Sequence, residues 1–494
     1  MRSVGRVPPA FPLTQVAAGS LLRRRADIWR GSLFMKYDLI IIGGGPAGYV
    51  GAIHASQLGK KVACIDKERA GGTCLNWGCI PTKSLLRNAE LYHLMRHRGE
   101  EFGFVVDNLS YDWTKIIGRS RVIANKLAGG IEMLFKKNKI DYILGEATLT
   151  DGKTVTVKAS DGKETTYSGD KVMIATGVTS RQLPIAPANG TTVLSSRQAM
   201  SLATQPETLT VIGAGAIGVE FAYFYNAFGT KVTILEMMPS ILPIEDTEIG
   251  VALEKSFKKQ GIGFVGGAKV ENVDVGEKNV KVTYLKDGKS IEITSDTLLV
   301  AIGVQALLPA GLTPDLDARG YIKVNENYET NIPGVYAAGD IIGPPWLAHV
   351  ASFEALQAVK SMFEPDFKPK KMGVFPGCTY CQPQVASVGL TERAAKEQGL
   401  KFKVGKFPFM ASGKALAVGE SEGFVKLIIG EPHGEIIGAH IIGPEATELI
   451  AELSLAITLE ATHEEIESTI HAHPTLSEAV MEASHAAFGM AIHI

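Results

Sequence analysis

Apolar and polar positions along this 494-residue chain follow one pattern that occurs twice. An apolar run at 37–42 enters Gly43-Gly44-Gly45-Pro46-Ala47-Gly48, a helical stretch follows, and a second apolar run ends on Asp66. The pattern returns as an apolar run at 209–212, then Gly213-Ala214-Gly215-Ala216-Ile217-Gly218, a helix, and a run ending on Glu236. In both copies the acid follows the first glycine by 23 residues. A single G-x-G-x-x-G is weak, but strand, motif, helix, strand and terminal acid in register twice predict two dinucleotide-binding units. The roles divide physically. Gly43 and Gly213 make the tight turn, Gly45 and Gly215 let backbone approach a pyrophosphate, and Gly48 and Gly218 let helix pack on strand. The helix N-terminus then faces the phosphates, and Asp66 and Glu236 accept from ribose hydroxyls.

After each unit the period changes to strict alternation. Residues 145–176, with Asp151-Gly152 and Asp161-Gly162 turns, read as a β-meander that ends in Val172-Met173-Ile174-Ala175-Thr176-Gly177. A similar layout with a Lys286-Asp287-Gly288 turn ends in Leu298-Leu299-Val300-Ala301-Ile302-Gly303. A helix is expected after Ala351 to about 363. From about 374 strands at 385–388, 424–429 and 436–442 and helices at 445–459 and 474–487 predict a separate α+β domain. The fold class expected is α/β, with two Rossmann-like domains carrying β-meander insertions plus a C-terminal α+β domain. The expected boundaries are a 1–34 extension, 35–182 for the first nucleotide domain, 183–305 for the second, 306–373 for a central segment and 374–494 for the last.

Composition narrows the class without changing the picture. Hydrophobic content of 45% with 21% charged residues is ordinary for a soluble globular protein. A formal net charge of −2 offers no basic field for nucleic acid or an anionic membrane. The uncharged run 39–59 holds six glycines, a proline and a histidine, so it reads as strand, turn and helix rather than a membrane span. Five cysteines are too few for a secreted disulfide scaffold. The first 34 residues carry six arginines, one acid (Asp27) and three prolines. That is the composition of a mitochondrial transit peptide. Pro8, Pro9 and Pro12 spoil an amphipathic helix, so a start at Met35 is the favoured reading, with a cytoplasmic location. A mitochondrial matrix location is the alternative.

The chemistry concentrates in Gly71-Gly72-Thr73-Cys74-Leu75-Asn76-Trp77-Gly78-Cys79-Ile80-Pro81-Thr82-Lys83. On a regular helix Cα atoms five residues apart are about 8–9 Å apart, beyond disulfide reach. The pair can bridge only where the segment is irregular, and a disulfide closing so short a loop staples weakly. Such a bond is suited to exchange; two reduced core cysteines are the alternative.

This segment resembles the redox-active signature of the flavin-dependent pyridine nucleotide-disulfide oxidoreductases, and its Leu-Asn/Ile-Pro form is most similar to the dihydrolipoamide dehydrogenases. The resemblance runs from about 37 to 488. It implies FAD on the first unit (Gly43, Gly45, Gly48, Asp66, Lys83, Gly177) and a nicotinamide cofactor on the second (Gly213, Gly215, Gly218, Glu236, Gly303). Thr330-Asn331-Ile332-Pro333-Gly334-Val335-Tyr336-Ala337-Ala338-Gly339-Asp340 is similar to the family's second flavin motif, which assigns Asp340 to the ribityl chain. Glu236 followed by Met237, Met238, Pro239 and Ser240, with no basic residue, selects NAD over NADP.

The resemblance further implies that Lys83 pairs with Glu220 near the flavin; two solvated helix charges are the alternative. In His471-Ala472-His473-Pro474-Thr475-Leu476-Ser477-Glu478 it makes His473 the acid–base and Glu478 its orienting carboxylate, with His471 a bystander. Thr475-x-x-Glu478 is also a capping box, so Glu478 could simply start a helix. The implied reaction runs from a dihydrolipoyl thiolate, deprotonated by His473, through Cys74 and then Cys79 to FAD and NAD+. The implied assembly is a two-fold homodimer in which each histidine serves the partner's cysteines. Lipoyl domains of 2-oxoacid dehydrogenase or glycine-cleavage proteins are the expected partners, and no metal is expected.

Two places depart from the family. Cys378-Thr379-Tyr380-Cys381 is a pair the family usually lacks, read here as packing rather than as a redox or zinc site, and Cys64 as core. Gly303-Val304-Gln305 lacks the arginine many relatives carry. Glutathione reductases would want basic residues after Glu236, and mercuric reductases a C-terminal cysteine pair. A non-catalytic FAD/NAD redox sensor would not need both the cysteine pair and His473–Glu478.

Overall fold

The strand 35–42 is a near-continuous apolar run because it lies in the middle of a parallel sheet covered on both faces. In the computed structural model, which describes residues 35–370 and 372–494, Met35–Ile42 pairs in parallel with Val62–Asp66 on one side and Glu164–Ile174 on the other. Asp141–Leu144 extends the sheet beyond Val62–Asp66, and Val335–Ala337 pairs in parallel with the end of Glu164–Ile174. The meander strand Thr154–Lys158 runs antiparallel onto the first half of Glu164–Ile174, and Glu146–Leu149 runs antiparallel onto Thr154–Lys158. Expectations for residues 1–34 lie outside the described residues.

The second unit repeats the design. Its five parallel strands are ordered Gly263–Gly266, Lys231–Glu236, Thr208–Ile212, Thr297–Val300 and Val193–Leu194. A three-stranded antiparallel meander, Lys269–Val275, Val280–Lys286 and Lys289–Ser295, is inserted before its last long strand. The chain passes between the two units twice, and those passages pair as the short antiparallel strands Val178–Ser180 and Val304–Ala306.

The central segment returns to the first unit. Its helix Ala348–Phe363 lays Ala351, Ala355, Ala358 and Val359 against Ala47, Ala52 and Ala55 of the motif helix Pro46–Gln57. Small residues on both faces allow that close approach. The last 118 or so residues form a five-stranded antiparallel sheet ordered Gly377–Thr379, Gln384–Gly389, Ile436–Gly443, Phe424–Gly430 and Phe402–Pro408. Helices Ala446–Thr458 and Glu478–Ala486 close its core through Ile450, Leu453, Val480 and Ala483.

One expected element is shorter than the sequence suggested. The helix expected over 474–487 begins at Glu478, with Ser477 rather than Thr475 at its N-cap. Residues 471–477 are spent on a turn that carries the histidine.

The second unit and the C-terminal domain meet at a lysine with no solvent exposure. Lys426 Nζ lies 2.9 Å from Asp246 Oδ1, 2.9 Å from Glu248 Oε2 and 2.8 Å from Glu392 Oε2. The carboxylates outweigh the cost of burial and hold the Lys426 ammonium above its usual range. Lys426→Met would leave three carboxylates facing one another. A loss of about 3–5 kcal/mol is expected from removing one partner of a buried ion pair, read from the midpoint of a urea unfolding curve at unchanged slope.

Candidate active site

The glycine turns are built as the motif requires. Gly43 and Gly213 have φ of +110° and +105°, and a Cβ on either would meet the carbonyl oxygen of Ala175 or Ala301 at 2.2 and 2.4 Å. A Cβ on Gly48 would strike the Gly43 carbonyl oxygen at 1.8 Å, and one on Gly218 the Gly213 oxygen at 2.0 Å. The space above Gly45 and Gly215 differs: the nearest atom to a Cβ is 3.7 Å away at Gly45, and none lies within 4 Å at Gly215. Each turn is thus closed toward the protein and open toward a ligand. Gly177 and Gly303, at the ends of the two meanders, have φ of +69° and +100° over open space.

The two terminal acids do the same work. Asp66 accepts from the amides of Gly44 (2.6 Å) and Glu68 (2.9 Å), and Glu236 from those of Ala214 (2.7 Å) and Met238 (2.8 Å). Each carboxylate is therefore fixed over its own turn, where a ribose would arrive. Thr176 Oγ1 is buried with no partner, and Asp340 is pushed up to about 6 by burial. These are polar groups that a bound flavin's polar chain would satisfy, so the residues fit FAD on the first unit and NAD on the second.

The cysteine segment is broken where irregularity was required. Helix Gly72–Trp77 ends at Gly78, and a new helix, Cys79–His93, begins on the second cysteine. Cys74 and Cys79 are both free cysteines, half-buried, and near enough to shift one another's ionisation. The Cys74 thiol, donating to Cys79 and desolvated, is pushed up; Cys79, receiving that bond against its own burial and facing the Lys83 charge, is pulled down. The surroundings therefore favour negative charge on Cys79 over Cys74.

Lys83 and Glu220 meet across the two units. Lys83 Nζ donates to both Glu220 oxygens at 2.9 and 3.0 Å, and Glu220 is buried. They are not two solvated helix charges. In the C-terminal domain His473 Nδ1 lies 2.8 Å from Glu478 Oε1, while Glu478 Oε2 accepts from the Thr475 amide at 2.8 Å. Glu478 thus bonds the histidine ring and the Thr475 amide with different oxygens, but no capping box forms, because Ser477 is the N-cap and the Thr475 hydroxyl donates to the Ala472 carbonyl. Burial raises Glu478, but the Thr475 amide and His473 outweigh it and hold the carboxyl below its usual range. An ionised carboxylate only accepts, so His473 donates from Nδ1, and it is the Nε2 side of the ring that faces away from Glu478. The ring is 77% exposed on a single chain.

Sequence reasoning missed several residues around this site. Glu354, buried on the helix Ala348–Phe363, accepts from the Gly339 amide at 2.8 Å and is pushed up to about 7 by burial and by Asp340. Its signal was a lone acid on an otherwise apolar helix face. Trp77, inside the cysteine loop, donates to Glu68 (3.1 Å) and lies under the Arg197 guanidinium at 4.0 Å. Cys381 and Cys64 are fully buried, as packing cysteines are, but Cys378 is only half-buried and contacts Tyr380. Among the described residues no cluster suited to a metal ion is present, and no helix is long and apolar enough to cross a membrane.

Residues 37–355 match the family model described as pyridine nucleotide-disulphide oxidoreductase, and residues 375–484 match its dimerisation domain. The chain belongs to the pyridine nucleotide-disulphide oxidoreductases. Within that family it is 44% identical to a dihydrolipoyl dehydrogenase of Zymomonas mobilis, over 92% of this chain and 99% of that one. It is 42% identical to the Bacillus subtilis dihydrolipoyl dehydrogenase, over 93% and 99%, and 40% identical to the mitochondrial one of Pisum sativum, over 92% of each. Among solved structures it superposes on LpdA of Mycobacterium tuberculosis with a TM-score of 0.83 at 27% identity, covering 91% of this chain and 99% of that one. The HOCl-induced flavoprotein disulfide reductase RclA of Escherichia coli, solved as a Cu(II) complex, gives 0.81 at 27% identity, covering 91% and 99%. The oxidoreductase fold, the use of FAD and NAD(H), and a dimerisation domain follow from membership of this family.

Proposed function

We propose that this chain is a dihydrolipoyl dehydrogenase, which oxidises dihydrolipoyl groups to lipoyl and reduces NAD+. The observation that carries the reading is the placement of the cysteine pair: Cys79 opens the helix that carries Lys83, and Lys83 is paired with the buried Glu220. The relatives' shared name supplies the substrate class.

The residues take these parts. His473 Nε2 accepts the proton of a substrate thiol, and Glu478 holds the imidazole in the needed tautomer and balances the charge it gains. The substrate thiolate attacks Cys74 of the disulfide, and Cys79 leaves as the thiolate that Lys83 favours. The second substrate thiolate attacks its own sulfur in the mixed disulfide, so lipoyl departs and Cys74 is freed. Bound FAD would supply the two-electron relay between the reduced cysteines and NAD+. Asp66, Asp340 and the first glycine turn hold FAD; Glu236 and the second turn hold NAD. Two chains assemble through the dimerisation domain as a homodimer, lipoyl domains of 2-oxoacid dehydrogenase or glycine-cleavage proteins are the partners, and the cytoplasm is the expected location. The deciding experiment is turnover: the yellow purified protein should reduce NAD+ with dihydrolipoamide, and a preference for glutathione disulfide or Hg2+ would replace this reading.

Glu236 carries the cofactor choice. Glu236→Ala removes a charged acceptor from the 2′-hydroxyl and a repulsion from a 2′-phosphate. The KM for NAD+ should rise about ten- to a hundredfold, the worth of one hydrogen bond to a charged group, with a smaller loss for NADP+. Equal changes for both cofactors in steady-state kinetics would remove Glu236 as the ribose ligand.

A further inference from the structure

A lysine on a four-carbon stem holds no fixed position unless its surroundings fix it. Lys83 lies on the second turn of helix Cys79–His93, and its partner Glu220 lies on helix Ala216–Ala227 of the second nucleotide unit. A third residue touches both. Tyr380, just after the C-terminal domain's first strand Gly377–Thr379, places its ring under Lys83 Nζ, 4.3 Å from the centroid. Its backbone amide donates to Glu220 Oε1 at 3.0 Å.

We propose that Tyr380 is a positioning residue for the Lys83–Glu220 pair: its amide fixes the anion, its ring face fixes the cation, and the C-terminal domain thereby sets the charge beside Cys79. The geometry divides the work between backbone and side chain. Glu220 Oε1 accepts from both Lys83 and the Tyr380 amide, so the carboxylate keeps that bond with any residue but proline at 380. The ammonium has the two Glu220 oxygens on one side and an aromatic face on another, and a ring quadrupole attracts a cation most strongly where water is excluded. Take away the ring and the ammonium gains freedom to turn toward solvent, since its side chain is 31% exposed. Less positive charge then reaches Cys79.

This inference rests on the reading that Lys83 and Glu220 lie beside bound FAD and Cys79. Its test reads the thiolate spectroscopically rather than through turnover. In the two-electron-reduced, FAD-loaded dimer, the long-wavelength thiolate–flavin absorption would be titrated against pH in Tyr380→Leu, Tyr380→Phe and Lys83→Met. Lys83→Met should move the midpoint upward by more than one unit. Tyr380→Leu should move it upward by about one unit, a tenfold loss of thiolate at a given pH. Tyr380→Phe, which keeps the face and the amide, should stay near the wild-type value. If Tyr380→Leu does not retain FAD, phenylalanines with one, two and three ring fluorines at position 380 weaken the attraction at nearly constant shape, and the midpoint should rise with each fluorine.

A lowered melting temperature with an unmoved midpoint in Tyr380→Leu, or an unmoved midpoint across the fluorinated series, overturns the positioning role while Lys83→Met still shifts. An unmoved midpoint in Lys83→Met itself overturns the reading of the pair, and the inference with it.

Discussion

Cys79→Ser should load FAD normally, lose the long-wavelength absorption on two-electron reduction, and fall in dihydrolipoamide turnover by more than about a thousandfold. Cys74→Ser should lose turnover to the same degree and keep the band. The asymmetry follows from where the chain puts each sulfur. Cys79 is the first residue of a fifteen-residue helix, where unpaired amides and the helix dipole favour an anion. It receives the Cys74 hydrogen bond, and Lys83 follows one turn later on the same helix. Cys74 sits in the preceding short helix, where its bond to Cys79, burial and the Asp340 charge all raise its thiol and only Lys83 opposes them. Serine at 79 removes the only sulfur able to carry the charge. Serine at 74 removes the group the substrate must attack but leaves Cys79 with the Lys83 cation beside it. Stopped reduction with dithionite, followed at wavelengths beyond the flavin's own bands, distinguishes them. A band kept by Cys79→Ser and lost by Cys74→Ser would exchange the two roles.

Much of this was legible because it is local. Turn, helix and acid spacing sit within 24 residues in each unit, and the structure puts Asp66 and Glu236 on equivalent amides of the two turns. The need for an irregular Cys-x4-Cys segment followed from helix geometry alone, and Gly78 is where the helix breaks. What was not legible is what depends on distant partners. Lys426 reads as an ordinary strand lysine until Asp246, Glu248 and Glu392 arrive from other elements. Tyr380 reads as a strand aromatic, and nothing local tells that its amide meets Glu220, 160 positions earlier. The expected helix start at 474 failed for a different reason. Thr475-x-x-Glu478 has the capping-box letters and Glu478 does accept from the Thr475 amide, but the Thr475 hydroxyl turns back to the Ala472 carbonyl instead of capping, and the helix waits until Glu478 itself.

Cys79→Ser and His473→Ala chains, each nearly inactive as a homodimer, should together form a mixed dimer with about half of wild-type activity. The expectation comes from what one chain lacks. Within a chain the main influences on Cys74 and Cys79 come from each other and from Lys83, Glu220 and Asp340, not from His473. Its ring faces outward with Nε2 free, at the edge of a domain whose family match is a dimerisation domain. Nearby, Leu455, Leu459 and Ile470 are exposed, Ile470 at 97% of its surface, which is an apolar face suited to a second copy. A two-fold interface repeats every contact, so a histidine that completes the partner's cysteine pair does so twice per dimer. In the mixed dimer one site then combines serine at 79 with alanine at 473, and the other combines intact Cys79 with intact His473. Distinct affinity tags on the two chains allow the mixed species to be isolated, and FAD content checks that both chains are loaded. Activity no higher than that of the parents, in a fully FAD-loaded mixed dimer, would put the histidine and the cysteines of each site on the same chain.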